Sequence, residues 1–122
     1  MYQFLKKVMK KINSIYFKSG SNEEDLPEFS SSFPYISSCV QINRCPHKSV
    51  PWHWHQAVEI FYIKEGSLEY KTAQKTLIFP KGSGGFVNSN VLHTTKDHAQ
   101  NTPTIQYLHI FDPSFIAGPK AG

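Results

Sequence analysis

The sequence predicts a mainly β domain, an antiparallel sandwich or barrel, preceded by an amphipathic helix. Three observations carry this expectation. After Pro51 the chain is a succession of short apolar and β-branched runs, AVEIFYI, SLEYKT, KTLIF, GFVN, NVLHTT and TIQYLHIF, separated by Gly, Pro, Asn and Ser, the pattern of short strands and turns. No window in that region sustains a helical period. The chain has 122 residues, 39% of them hydrophobic and only 18% charged, enough for one folded domain with a core and too few for a sensor plus a second functional module.

Residues 1–18, MYQFLKKVMKKINSIYFK, place Phe4, Leu5, Val8, Met9, Ile12, Ile15 and Tyr16 at helical spacing with lysines on the opposite side, which predicts an amphipathic basic helix. Its lysine pairs interrupt the apolar run of roughly seven to fifteen residues that a signal peptide needs, and no run approaches membrane-spanning length. The expectation is a cytoplasmic protein with no membrane partner, its helix docked on the domain's own apolar surface. Lys6, Lys7, Lys10, Lys11 and Lys18 also supply much of the formal charge of +4, so the net charge does not describe a DNA-reading face.

Residues 19–33 are rich in Ser and acidic residues and lack apolar periodicity, so they read as a linker. The barrel is placed at 34–118, with a short tail at 119–122. PYISSCVQINRC reads as one strand, which would hold Cys39 and Cys45 roughly 20 Å apart, against roughly 5.5 Å for a disulfide. Both are expected as free thiols.

The stretch PWHWHQAVEIFYIKEG, residues 51–66, carries the chemistry. On a strand, alternate residues share a face, so His53, His55 and Glu59 point one way with Ala57, Phe61 and Ile63, while Trp54, Val58, Ile60 and Tyr62 point the other. A straight strand would hold Glu59 roughly 13 Å from His55, whereas metal ligands sit about 2.0 to 2.2 Å from one ion. The chain must bend around Gln56 to Val58 if the three are to converge. His93, in VNSNVLHTT, is the fourth candidate and would come from another strand. Phe61, Ile63, Leu68, Tyr70 and Phe79 fall to barrel lining or core, and Phe61 and Tyr70 are the ones assigned to ligand contact. Trp52 and Trp54 read as packing groups. His109 reads as a strand residue with a local partner.

His53, His55, Glu59 and Gly66 reproduce in order the first motif of the cupin superfamily, which this segment resembles. The second cupin motif is matched by Gly82 and His93, while Asn88 and Asn90 stand where its proline and second glycine would be. His47 and Asp97 replace a glycine and an asparagine of the usual pattern. Together with YLHIFDPSFIAG, these segments resemble the amino-terminal sensor domain of AraC-type bacterial transcription regulators over about residues 34–118. The resemblance implies a double-stranded β-helix (cupin, or jelly-roll) barrel that binds a small effector such as a sugar or other small polar metabolite. Its ligand set implies one divalent transition metal, zinc, manganese, iron or nickel, on His53, His55, Glu59 and His93. The alternative is that the same four residues, with Phe61 and Tyr70, hold the effector directly through hydrogen bonds and apolar contact.

Two functional classes follow. One is a non-catalytic sensor, expected here without the helix-turn-helix part because no helix pair that could enter a major groove is found up to the closing FDPSFIAGPKAG. The other is a small metal-dependent cupin enzyme of dioxygenase or isomerase type. The sensor is preferred, because no spare acid or base beside the metal is identifiable from sequence. Specific DNA binding by this chain alone is not expected. A strand apolar on both faces predicts a homodimer.

Overall fold

The computed structural model describes residues 10–12, 14–26 and 34–114. Among them run eleven strands: β1 (Lys10–Ile12), β2 (Tyr16–Phe17), β3 (Glu24–Asp25), β4 (Tyr35–Gln41), β5 (Ser49–His53), β6 (Val58–Glu65), β7 (Ser67–Thr72), β8 (Thr76–Pro80), β9 (Gly84–Val87), β10 (His93–Asp97) and β11 (Ile105–Phe111). They form a five-stranded sheet in the order β1-β4-β11-β6-β9, a four-stranded sheet in the order β5-β10-β7-β8, and the separate hairpin β2-β3. The main-β expectation holds. Pairing is antiparallel except for β1, which lies parallel to β4.

Alternation along the strands builds the core. In β6 Phe61 and Ile63 are buried while Ile60 and Tyr62 are exposed, the two-residue period of a sheet with one covered face. Phe61, Ile63 and Val87 from the larger sheet pack with Val50, Leu68 and Tyr70 from the smaller one, so the core lies between the two sheets. The turn from β6 to β7 passes through Gly66 at φ +79°, a left-handed conformation that favours glycine.

The amino-terminal helix expected over residues 1–18 is corrected wherever the chain is described. Lys10–Ile12 and Tyr16–Phe17 are strands, and residues 1–9 lie outside the described residues. The edge of β4 offers unpaired main-chain groups, and Lys10, Lys11 and Ile12 take them opposite Ser38, Cys39 and Val40. A weak helical preference yields to such tertiary pairing. Within residues 19–33, β3 pairs back onto β2 across a turn at Gly20, φ +69°. Residues 115–122 lie outside the described residues.

PYISSCVQINRC is also not one strand, because β4 ends at Gln41 and a short 3-10 turn spans Ile42–Arg44. Cys39 and Cys45 are not joined in a disulfide, as expected. His109 has its local partner in the Tyr35 hydroxyl, 2.6 Å from Nδ1. Among the described residues no helix is long and apolar enough to cross a membrane.

Candidate metal centre

The bend expected after His55 is present. β5 ends at His53, the chain leaves the smaller sheet, and β6 begins at Val58 in the larger one. His53 is paired directly with His93, the first residue of β10. Glu59 lies on β6. His55 sits in the crossing, where its carbonyl accepts the Asn90 amide at 2.8 Å. Two sheets and a loop therefore deliver the four residues to one place.

His53, His55 and His93 each offer one ring nitrogen, and these atoms lie within 4.8 Å of one another. The ring centroids of His53 and His93 are 4.1 Å apart. All three rings are buried, from 1% exposed at His93 to 5% at His53. Their Nδ1 atoms make the same kind of contact: His53 with the Pro51 carbonyl, His55 with that of Ala57 and His93 with that of Val91, each at 2.7 Å. A carbonyl oxygen only accepts, so each Nδ1 carries the proton and donates. That leaves Nε2 as the nitrogen free to bind an ion, the tautomer that metal-ligating histidines adopt when a carbonyl fixes the other nitrogen.

Glu59 reaches the centre through His55, with Oε1 3.3 Å from Nε2. Burial alone would push the Glu59 carboxyl up, but the His55 hydrogen bond and the neighbouring histidines hold it below the ordinary carboxylate value. Burial would likewise lower His55, yet the hydrogen bond and charge of Glu59 raise it. Burial, with His93 beside it, drives His53 down to about 4, and burial also lowers His93. The centre thus couples His55 to Glu59 beside the paired rings of His53 and His93.

Tyr70 stacks on His93 with ring centroids 5.5 Å apart and planes inclined 26°. Phe61 lies one ring further, 6.2 Å from Tyr70. Both are nearly buried, at 7% and 2% exposure, and they form the apolar wall behind the histidines. Burial, with Glu59 nearby, pushes the Tyr70 phenol up to about 12. That suits a packing group better than a proton carrier at neutral pH.

One residue of the centre escaped the sequence reading. Glu24, on β3 within the supposed linker, is 8% exposed, and its Oε1 lies 3.7 Å from His53 Nε2. Burial pushes its carboxyl up to about 7, with His55 pulling it down and Glu59 pushing it further up. No sequence motif marks it. Its only signal is a second acidic residue beside Glu23 in a polar stretch.

The donors suit a divalent transition ion: three imidazoles and a carboxylate, all buried, with each Nδ1 already tied to a main-chain carbonyl. Ligands about 2.1 Å from one ion, at about 90 to 120° to one another, stand about 3.0 to 3.6 Å apart, so histidine nitrogens at the 4.8 Å limit close by roughly 1 to 2 Å on binding.

Comparison with known proteins places this centre in a family. No curated protein matches the chain. Solved structures share the fold at low sequence identity. An RmlC-like cupin from Shewanella frigidimarina superposes with a TM-score of 0.53 at 14% identity, covering 63% of this chain and 65% of that one. A predicted oxalate decarboxylase from Thermotoga maritima gives 0.51 at 23% identity, covering 64% of each. The DMSP lyase DddQ from Ruegeria pomeroyi gives 0.54 at 21%, covering 65% of this chain and 39% of the other. The chain thus spans less than two thirds of the length of each of these neighbours. The AraC-like ligand binding domain model matches residues 35–118, the span of the barrel with both histidine-bearing segments, and the chain belongs to this family of cupin domains.

Proposed function

We propose that the chain is the small-molecule sensing domain of a transcription regulator, in which a divalent transition metal held by His53, His55, His93 and Glu59 anchors the effector. The observation that carries this reading is the common anchoring of the three histidines, each Nδ1 spent on a main-chain carbonyl while one ring nitrogen of each lies within 4.8 Å of the others. Such an ion supplies Lewis acidity and positions for an oxygen or nitrogen donor of the effector. The protein fixes the rings, excludes bulk water by burial, and presents Tyr70 and Phe61 as an apolar wall. A small polar metabolite such as a sugar fits a site of this mixed character.

Elemental analysis of protein purified without chelator tests the reading. Up to one equivalent of zinc, manganese, iron or nickel is expected, and His93→Ala should abolish it. Protein that holds no metal and takes none up would return the four residues to direct contact with the effector.

A metal-dependent cupin enzyme is the second reading, and Glu24 favours it by putting an additional carboxyl beside the histidines. Product formation from candidate substrates by the metal-loaded chain would decide for the enzyme. Saturable binding without turnover would decide for the sensor.

We further infer self-association through the outer face of the larger sheet. Ile60, Tyr62 and Phe86 are 46%, 44% and 61% exposed, and Phe86 is paired across the strands with Ile60. A contiguous apolar face of this kind marks a contact surface.

A further inference from the structure

We propose that Glu24 is a further ligand of the metal, delivered to the centre by the β2-β3 hairpin from outside the segment that the family shares. This rests on the metal-binding reading above. The matched domain begins at residue 35, so Glu24 is no part of its motif.

The hairpin is registered on the residue that separates two of the histidines. The Glu24 amide donates to the Trp54 carbonyl at 2.8 Å, and the Trp54 amide donates to the Asn22 carbonyl at 3.0 Å, a parallel bridge at Glu23 and Trp54. Asn22 adds a third tie, its Nδ2 donating to the Trp52 carbonyl at 3.1 Å. Alternation along the arm then sorts the two acidic neighbours. Glu23 turns outward to Lys18 at 2.8 Å, and Glu24 turns inward to His53.

What Glu24 meets there is the ring nitrogen that His53 has not spent on the Pro51 carbonyl, 3.7 Å from its carboxyl oxygen. That separation is too long for a hydrogen bond, and one ion between the two groups would bond to both. Two ligands with bonds of about 2.1 Å, held at about 90 to 120° on one ion, stand about 3.0 to 3.6 Å apart. The His55–Glu59 separation of 3.3 Å falls in that range, and the His53–Glu24 separation of 3.7 Å lies just outside it. With Glu24 the donor set becomes three imidazoles and two carboxylates, whose charges balance a dication and favour oxygen-accepting ions such as manganese, iron or zinc.

Cobalt(II) titration of the chelator-stripped full chain tests the assignment, since its visible spectrum reports coordination number and its titration reports affinity. Glu24→Gln should weaken cobalt binding about tenfold or more and shift the spectrum toward lower coordination. Glu24→Asp, which keeps a shorter carboxylate, should weaken it less and also decides the question if the glutamine variant fails to fold. Glu23→Gln, on the outer side of the same arm, should match the parent. A parent that takes up cobalt with affinity and spectrum unchanged in both Glu24 variants overturns this inference alone. A parent that takes up no cobalt overturns it together with the metal reading.

Discussion

Glu24 and His53 face each other across the centre, and their ionisation pulls metal-free stability in opposite directions. Glu24 titrates near 7 in the folded chain against an ordinary 4.5, so the folded state binds the extra proton between those values and stability is lost as pH rises through about 7. His53 titrates near 4 against an ordinary 6.5, so its contribution is present above 6.5 and lost as pH falls toward 4. Above pH 7 the Glu24 penalty is fully present. In chelator at pH 8, Glu24→Gln should therefore exceed the parent in stability by on the order of 2 to 3 kcal/mol, with little difference at pH 4. Thermal denaturation at the two pH values measures this, and equal midpoints at pH 8 would show that Glu24 is solvated rather than buried. The four candidate residues of the motif, which the fold brings together, were legible in sequence because their spacing is itself the signal. Glu24 was not, because its place depends on main-chain pairing with Trp54, thirty positions away, in a stretch with no periodic pattern.

Strands were legible wherever one face is buried and the other wet, as in β6 and β7, because alternation records that environment directly. The amino-terminal helix was not, because apolar residues at helical spacing also suit a short strand once a sheet edge is available, as β4 provides for Lys10–Ile12. The bend between His55 and Val58 was required by ligand geometry before it was seen, so a chemical constraint located what propensity could not. At the other end of β6, Gly66 fixes how the chain enters β7. Any Cβ there would lie 2.3 Å from Thr104 Oγ1 and 2.5 Å from the Pro103 carbonyl, at a φ of +79°. Thr104 is fully buried, and its hydroxyl donates to Asp97 Oδ1 at 2.6 Å. Backbone that cannot move aside makes the clash expensive. Gly66→Ala should cost about 2 to 4 kcal/mol, read as a lower urea midpoint, whereas Gly82→Ala, with open space around it, should cost only the strain of its own positive φ. Equal midpoints for the two variants would mean that the Thr104 loop gives way.

At the scale of the molecule, the amino-terminal strands serve both the barrel and its centre. β1 covers the edge of β4, and β2 is the partner of the strand that carries Glu24. Removing residues 1–18 would bare a sheet edge, which invites pairing between chains, and would leave β3 without its hairpin. The deletion should therefore lower solubility and weaken metal uptake together, a coupling that a passive tail would not produce. The outer face of the larger sheet makes a separate demand. Ile60, Tyr62 and Phe86 leave large apolar surface in water, and burying each such side chain contributes roughly 1.5 to 3 kcal/mol. A second copy related by a two-fold axis would bring the same face against itself. Ile60→Asp places an unpaired charge in that contact and should dissociate it, while leaving metal content unchanged because the residue points away from the centre. Sedimentation at micromolar concentration checks this: a dimer in the parent and a monomer in Ile60→Asp are expected, and a parent that is already monomeric would return the face to solvent.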